Sequence, residues 1–163
     1  MLIYAQSLGC VPAVRGYLKA MREVCDEYDI LLVFDEIMCG LGRTGYMHAW
    51  QKESVVPDIQ LLGKGLAAGF ESISGMLVGH KVDNAFRNGP SNGAFYHGHT
   101  FQNSPRACAA AHEVYKIVIE NNLLENVQEK GRLLEKKLRL RLGDHRYVGD
   151  IRGEGLFWGV SSI

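Results

Sequence analysis

Two short, almost uninterrupted apolar runs place the strongest limit on how this chain can fold. Residues 30–34 read Ile-Leu-Leu-Val-Phe, and residues 59–62 read Ile-Gln-Leu-Leu. Runs of this length without regular polar alternation are typical of strands that are buried on both faces of a sheet. A charged residue follows each run: Asp35 comes directly after the first, and Lys64 follows the second between two glycines. We therefore expect buried strands with a carboxylate and an amine at their ends.

The elements around these runs predict an α/β fold. Apolar residues recur at helical spacing over residues 16–28, ahead of the first run, and predict a helix there. Residues 73–78 predict a third strand, which ends at a glycine. The order helix, strand, loop, strand indicates a mostly parallel sheet.

The second half of the chain predicts two helices and a hairpin. Ser104 and Pro105 form a good helix start, with a capping residue followed by proline at the first helical position. Two asparagines at 121 and 122 interrupt this helix, and a second amphipathic helix follows to about Leu142. Residues 147–160 read as two strands around a glycine-rich turn, which indicates a hairpin.

Composition argues against several classes of protein. The chain has 163 residues, enough for one domain, and carries 18 basic and 18 acidic residues. A net charge of zero gives no support to a nucleic-acid or membrane-surface partner. No apolar run reaches the roughly 20 residues that span a bilayer, and residues 1–5 lack the basic start of a signal peptide. The four cysteines are scattered, so we expect reduced thiols in a cytoplasmic protein, with the mitochondrion as the alternative compartment.

The glycine-rich segment Gly40–Gly45 has two interpretations. It matches the G-x-G-x-x-G pattern of dinucleotide-binding proteins, but its first glycine comes five residues after Asp35 rather than in the strand-to-helix turn. A clear helix is also missing from the sequence that follows. We favour a loop in which the glycines serve unusual backbone angles or close packing.

Other short motifs are weaker still. Residues 63–65 lack the upstream glycine and the following Ser or Thr of a phosphate-binding P-loop, which argues against ATP. His97 and His99, or Asp35 with Glu36, could supply metal ligands, but no further ligand residues cluster with them in the sequence. We expect no metal site.

Asp35 and Lys64 have one common explanation in pyridoxal phosphate. Burying either charge alone costs several kcal/mol, so each side chain needs a partner. The cofactor has an aldehyde that reacts with an amine and a ring nitrogen that pairs with a carboxylate. Small and apolar neighbours of a lysine favour the neutral amine, which is the nucleophile for a Schiff base. A lysine displaced by substrate can then move a proton at the substrate's α-carbon.

Four sequence blocks together resemble the class III (ω-amino acid) aminotransferases, which are pyridoxal-phosphate enzymes of fold type I. The order and spacing of the blocks make this match specific, and further similar segments extend it over nearly the whole chain. The blocks are residues 31–37, 40–45, 57–59 and 63–65.

The resemblance implies a role for each of five residues. Lys64 would be the catalytic residue that binds the cofactor aldehyde, and Asp35 would pair with the pyridine nitrogen. Ile37 would pack on one face of the ring. Met38 stands where family members commonly have a glutamine that contacts the ring hydroxyl, and a thioether makes that hydrogen bond poorly. Thr100 would bind the cofactor phosphate, usually that of the neighbouring subunit of a homodimer.

The resemblance also implies which part of the fold is present. Family members are typically more than twice as long, so the chain corresponds to a partial large domain and the start of the small C-terminal domain. The expected reaction moves an amino group from an amine or ω-amino acid to a 2-oxo acid, and the alternative is an inactive fragment of such an enzyme. The expected boundaries are 1–103 for the large domain, 104–142 for connecting helices and 143–163 for the small domain.

Overall fold

The computed structural model of the protein describes residues 9–90 and 92–163. These residues form helices and short strands in the alternating order of an α/β fold. In chain order they are α1 (Tyr17–Glu27), β1 (Val33–Asp35), a 3₁₀ helix (Ala49–Lys52), β2 (Ile59–Leu62), a second 3₁₀ helix (Lys64–Ala67), β3 (Gly75–Val78), α2 (His80–Asn88), α3 (Pro105–Glu120), α4 (Leu123–Leu142), β4 (Val148–Glu154) and β5 (Phe157–Ser162). None of the helices in this described part is long and apolar enough to cross a membrane.

The first three strands form one mixed sheet in the order β1, β2, β3. β1 and β2 are parallel, with Asp35 opposite Leu61, whereas β3 runs antiparallel to β2, with Gly75 opposite Leu62. A parallel return needs a crossover of about a dozen residues or more, usually through a helix. Residues 63–74 contain only a short 3₁₀ helix, so the chain turns back instead.

The first strand is shorter than the apolar run predicts. β1 begins at Val33, because Leu32 before it pairs with a side chain instead of a neighbouring strand. Leu32 N donates to Oδ2 of Asp58, which precedes β2, at 2.7 Å. Ile30 and Leu31 are 53% and 42% exposed, so the expected burial on both faces was wrong for them. The predicted bounds of β2 are confirmed at Ile59–Leu62.

The core lies where α1 packs against β1 and the first 3₁₀ helix. Leu18 of α1 and Phe34 of β1 are each 1% exposed, and Cys39 and Ala49 are fully buried beside them. Burying a Leu or Phe side chain contributes about 1.5–3 kcal/mol each. This cluster therefore supports the strand that ends in Asp35.

The second half of the chain follows the predicted pattern. α3 begins at Pro105 with Ser104 as its N-terminal flanking residue, and Asn122 in a left-handed conformation (φ 51°) separates α3 from α4. β4 and β5 pair in antiparallel fashion as the predicted hairpin. The hairpin turn lies close against α4, because a Cβ on Gly131 would be 2.5 Å from the Gly155 carbonyl oxygen.

Candidate active site

Asp35 and Lys64 lie at the same edge of the sheet. Asp35 is the last residue of β1, and Lys64 comes two residues after the end of β2. Since β1 and β2 are parallel, their carboxyl ends point the same way, and Glu36 N donates to Leu61 O at 3.1 Å just beyond β1. Open α/β sheets bind ligands at the carboxyl ends of their strands.

A backbone N–H two residues along the chain holds the Asp35 carboxylate. Its Oδ1 accepts a hydrogen bond from Ile37 N at 3.0 Å, a short turn in which a side-chain oxygen binds the N–H two residues later. The side chain is half-buried. Among the described residues no donor binds Oδ2, so this oxygen is available to a ligand.

Lys64 stands in an unusual backbone position with an exposed side chain. Its φ of 43° lies in the left-handed region that non-glycine residues rarely adopt, and such strain is concentrated at functional sites. Its amine forms no ion pair or hydrogen bond within the described part of the chain. The apolar enclosure that the sequence predicts around this amine is therefore not supplied by these residues.

The glycines on both sides of Lys64 admit neighbouring side chains. A Cβ on Gly63 would be 3.3 Å from Ile37 Cγ2, and a Cβ on Gly65 would be 3.5 Å from Leu41 Cβ. Ile37 therefore lies against the backbone that leads into Lys64. A side chain at position 63 would require Ile37 to move by a few tenths of an ångström.

A cleft of about 430 Å³ opens beside Lys64. Met38, Lys64 and Arg43 supply its polar and polarisable lining, and α3, α4 and the hairpin supply apolar walls. The apolar residues are Leu41, Val118, Leu123, Leu124, Val127, Leu156 and Phe157. Thr100 is exposed in the connection between α2 and α3 and is not among the described residues that line this cleft.

The glycine loop 40–45 is a packing element. Gly42 and Gly45 have φ of 90° and 89°, which other residues rarely adopt. Gln128 Nε2 of α4 donates to Gly45 O at 2.9 Å, and Leu156 N of the hairpin donates to Arg43 O at 3.0 Å. The loop is thus held between α4 and the hairpin, in agreement with the packing interpretation of its glycines.

A buried polar network lies beside the site, and the sequence patterns do not predict it. Glu36 is fully buried and accepts three hydrogen bonds: from Ala49 N at 3.0 Å, Trp50 N at 2.9 Å and Gln60 Nε2 at 2.9 Å. Burial raises the pKa of Glu36 to about 7, although the hydrogen bonds from the two backbone N–H groups oppose this shift.

Gln60 connects Glu36 to two aromatic rings. Its Oε1 accepts from Trp50 Nε1 at 2.9 Å, and its Nε2 also lies 2.8 Å from His48 Nδ1. Burial lowers the pKa of His48, so the neutral ring accepts this bond. The one sequence signal for the network was a glutamine inside an otherwise apolar strand.

The two loop histidines, His97 and His99, contact each other. The rings of His97 and His99 are 6.3 Å apart in an edge-to-face arrangement. In residues 9–90 and 92–163 no group of three or more His, Cys, Asp or Glu side chains could hold a metal ion.

Comparison with known proteins assigns a family to this arrangement. The sequence model of the family "Aminotransferase class-III" matches residues 6–162. The chain belongs to the class III aminotransferase family. Members of this family depend on pyridoxal phosphate and are transferases.

Curated relatives of this chain are named as aminotransferases. An aminotransferase of Gibberella zeae is 50% identical over 157 residues, which cover 96% of this chain and 30% of the relative. The acetylornithine aminotransferase of Clostridium acetobutylicum is 41% identical over 93% of this chain and 38% of its own length. The chain thus spans about a third of the length of these relatives.

Solved structures agree with the fold. An aminotransferase of Bacillus anthracis superposes with a TM-score of 0.94 at 34% identity, over 99% of this chain and 36% of that one. A taurine:2-oxoglutarate aminotransferase of Bifidobacterium kashiwanohense, solved with pyridoxal phosphate and glutamate, gives 0.88 at 31% identity, over 95% and 34%. The class III aminotransferase chain therefore has part of the α/β fold of pyridoxal-phosphate-dependent transaminases.

Proposed function

We propose that this chain is the cofactor-binding part of a transaminase that moves an amino group from an amine or ω-amino acid to a 2-oxo acid. The observation that supports this most is the position of Asp35 and Lys64 at the ends of two adjacent parallel strands. Relatives named for acetylornithine and taurine support an amino donor of this kind.

The described residues fit the cofactor. Lys64 offers an exposed amine, and Asp35 offers an oxygen that no described donor binds. When bound, pyridoxal phosphate supplies an electron-accepting ring that stabilises negative charge at the substrate's α-carbon. We assign Lys64 Nζ to the covalent link with the cofactor aldehyde and, once released, to the movement of the proton at that carbon.

Asp35, Ile37 and Met38 would hold the ring. The Asp35 carboxylate keeps a proton on the pyridine nitrogen, because an adjacent negative charge favours the protonated form. Ile37 packs on one ring face, and Met38 lines the cleft beside Lys64. Methionine in place of the family's glutamine gives the ring hydroxyl a weaker partner.

Thr100 and the remaining parts of the site belong to a larger assembly in this proposal. Thr100 is exposed, which suits a hydroxyl that binds the cofactor phosphate of a neighbouring subunit in a homodimer. Residues 1–103 would form part of the large domain, 104–142 the connecting helices and 143–163 the start of the small domain. The alternative is an inactive fragment that keeps Lys64 and Asp35 without productive binding.

Cofactor uptake by the purified chain tests the proposal. With pyridoxal phosphate we expect a visible absorption band that disappears in Lys64→Ala and also in Lys64→Arg, which keeps the charge but not the nucleophile. Reduction with borohydride followed by peptide mapping should place the label on Lys64. Label on exposed lysines such as Lys52 and Lys81 instead, or no band at millimolar cofactor, would favour the inactive fragment.

For the cell compartment we propose the cytosol. Cys10, Cys25 and Cys108 form no disulfide bond within the described residues, and reduced thiols are typical of reducing compartments. Fractionation of the source cells checks this, and recovery with the mitochondrial fraction would contradict it.

A further inference from the structure

We propose that Glu36 is a positioning residue for Asp35: its buried carboxylate anchors the turn that aims the Asp35 carboxylate at the cofactor. The functional half of this inference rests on the proposed role of Asp35. The structural half, that Glu36 fixes the turn, stands without it.

The side chains of the three consecutive residues 35–37 point in three different directions. The Asp35 carboxylate turns back to Ile37 N, Glu36 goes into the protein interior, and Ile37 lies against Gly63 in front of Lys64. The Asp35 carboxylate keeps this orientation only while Ile37 N is in position to donate a hydrogen bond to it. The backbone between the two is that of Glu36, so the anchoring of Glu36 determines the geometry on both sides.

The anchor of Glu36 uses both carboxylate oxygens. Oε1 accepts from Trp50 N, and Oε2 accepts from Ala49 N and Gln60 Nε2, at 2.9–3.0 Å. Gln60 cannot rotate freely, because Trp50 Nε1 binds its oxygen and His48 Nδ1 binds its nitrogen. The network thus ties the end of β1 to β2 and to the first 3₁₀ helix.

Gly40 closes the turn tightly around Glu36. Gly40 N donates to Glu36 O at 3.0 Å, and a Cβ on Gly40 would be 2.9 Å from both Glu36 O and Glu36 Oε2. Position 40 therefore has no space for a side chain, and a glycine there lets the turn close around Glu36.

A glutamine at position 36 cannot replace the carboxylate. Each of the two oxygens faces at least one N–H donor, so the amide nitrogen of a glutamine meets a donor in either orientation. An unsatisfied buried donor is costly, and the turn must shift to relieve it. Glu36→Gln is thus a small change in shape that breaks the anchor.

Amide hydrogen exchange in the chain without cofactor tests the structural half. In Glu36→Gln we expect the Ile37 amide to exchange at least about tenfold faster than in the wild type, after correction for global unfolding measured on α1 amides. Trp50→Phe removes the indole bond to Gln60 and alters the packing of residue 50 against the core and His48, but keeps the backbone bonds to Glu36. It should give a smaller corrected increase, and it replaces Glu36→Gln in this test if that variant fails to fold. Val82→Ala is the control, because Val82 is buried in α2 outside the core cluster that contains Ala49 and Trp50, and its corrected Ile37 rate should stay within about threefold of wild type.

Cofactor titration tests the functional half in a double-mutant cycle. We expect Glu36→Gln and Asp35→Asn each to weaken pyridoxal phosphate binding by about tenfold and to change the pH profile of the visible band in the same way. The double variant should bind no more weakly than Asp35→Asn alone, because both changes act through one contact.

The outcomes separate this inference from the proposed function. An unchanged corrected exchange rate for Ile37, or additive losses in the cycle, overturns the positioning role even if the chain binds cofactor well. If wild-type chain binds no cofactor, the proposed function fails for this chain, while the exchange rate of Ile37 still decides whether Glu36 fixes the turn.

Discussion

Within the described residues, β1 and β3 are the two outer strands of one sheet, yet their surroundings are opposite. In β1, Phe34 is 1% exposed and packs with α1 and the first 3₁₀ helix. In β3, Met76, Leu77 and Val78 are 46%, 48% and 41% exposed. Phe34, next to Asp35, is thus packed within the chain, whereas β3 presents apolar side chains of the kind found at interaction surfaces. The packing that holds Asp35 in place therefore comes from the β1 side of the sheet.

The largest expected difference between the two strands is in stability. Phe34→Ala should lower the free energy of unfolding by about 3–5 kcal/mol, because it leaves a cavity in the core. Leu77→Ala in β3 should cost less than about 1 kcal/mol, because that side chain is already half exposed. Urea denaturation of both variants checks this, and equal losses would remove the distinction between the strands.

The β1 side should also carry a pH dependence that β3 lacks. The folded chain keeps the Glu36 proton up to about pH 7, whereas the unfolded chain loses it near 4.5. The folded state therefore binds more protons in this window, and its stability should fall as the pH rises from 4.5 to 7, by up to about 3 kcal/mol.

His48 opposes this trend at the acidic end. Burial lowers the pKa of His48, so the folded state is disfavoured as the pH falls below 6.5, the ordinary value for a histidine. Urea midpoints measured from pH 4.5 to 8 should show a decline that Glu36→Gln removes. A wild-type profile that matches that of Glu36→Gln would show that Glu36 does not titrate in this range.

Asp58 should give a smaller effect of the opposite sign. It accepts from Arg22 Nη1 at 2.8 Å and from Leu32 N at 2.7 Å. Burial would raise the pKa of Asp58, but these bonds outweigh it and lower the pKa below 3.8. The stabilisation is therefore present at neutral pH and is lost as the pH falls through the acidic range.

The variant Asp58→Asn tests this contribution at neutral pH. We expect a loss of about 1–2 kcal/mol, because the hydrogen bonds to the charged oxygen become neutral. Lys19→Met is a suitable control, since the Lys19–Glu23 pair is 4.0 Å apart and exposed. A loss in Asp58→Asn no larger than in that control would show that the junction before β1 does not depend on this ion pair.

The smallest effect on stability is expected on β3 itself. Leu77→Lys should change the free energy of unfolding by less than about 0.5 kcal/mol and should reduce self-association, because it breaks an exposed apolar strand edge. Analytical ultracentrifugation at several concentrations checks this. A loss of stability as large as that of Phe34→Ala would mean that β3 packs as tightly as β1.

Local patterns in the sequence predicted the elements well. Ser104 with Pro105 marked the start of α3, two asparagines marked its end, and the glycine turn marked the hairpin, all because neighbouring residues determine these features. The resemblance assigned the family, and the structure places Asp35 and Lys64 at one sheet edge as parallel strands require.

Features that depend on distant contacts were not predictable in the same way. Glu36 is separated by 13 residues from Ala49 and by 24 from Gln60, so no local pattern shows that they share a network. The antiparallel direction of β3 follows from a short return without a long helix, which the apolar run 73–78 does not reveal. The exposure of Lys64 and of residues 30 and 31 depends on which parts of the chain pack over them. A local stretch of sequence does not specify that packing.

The pairing of Leu62 with Gly75 has a consequence for how this scaffold can change. It closes the segment 63–74 at its base, with Lys64 near the closed end and the exposed Gly69 and Phe70 farther along. Doubling the length of such a loop costs only about 0.6 kcal/mol in closure entropy. An insertion at 69–70 can therefore lengthen the segment beside Lys64 while β2 and β3 stay in register.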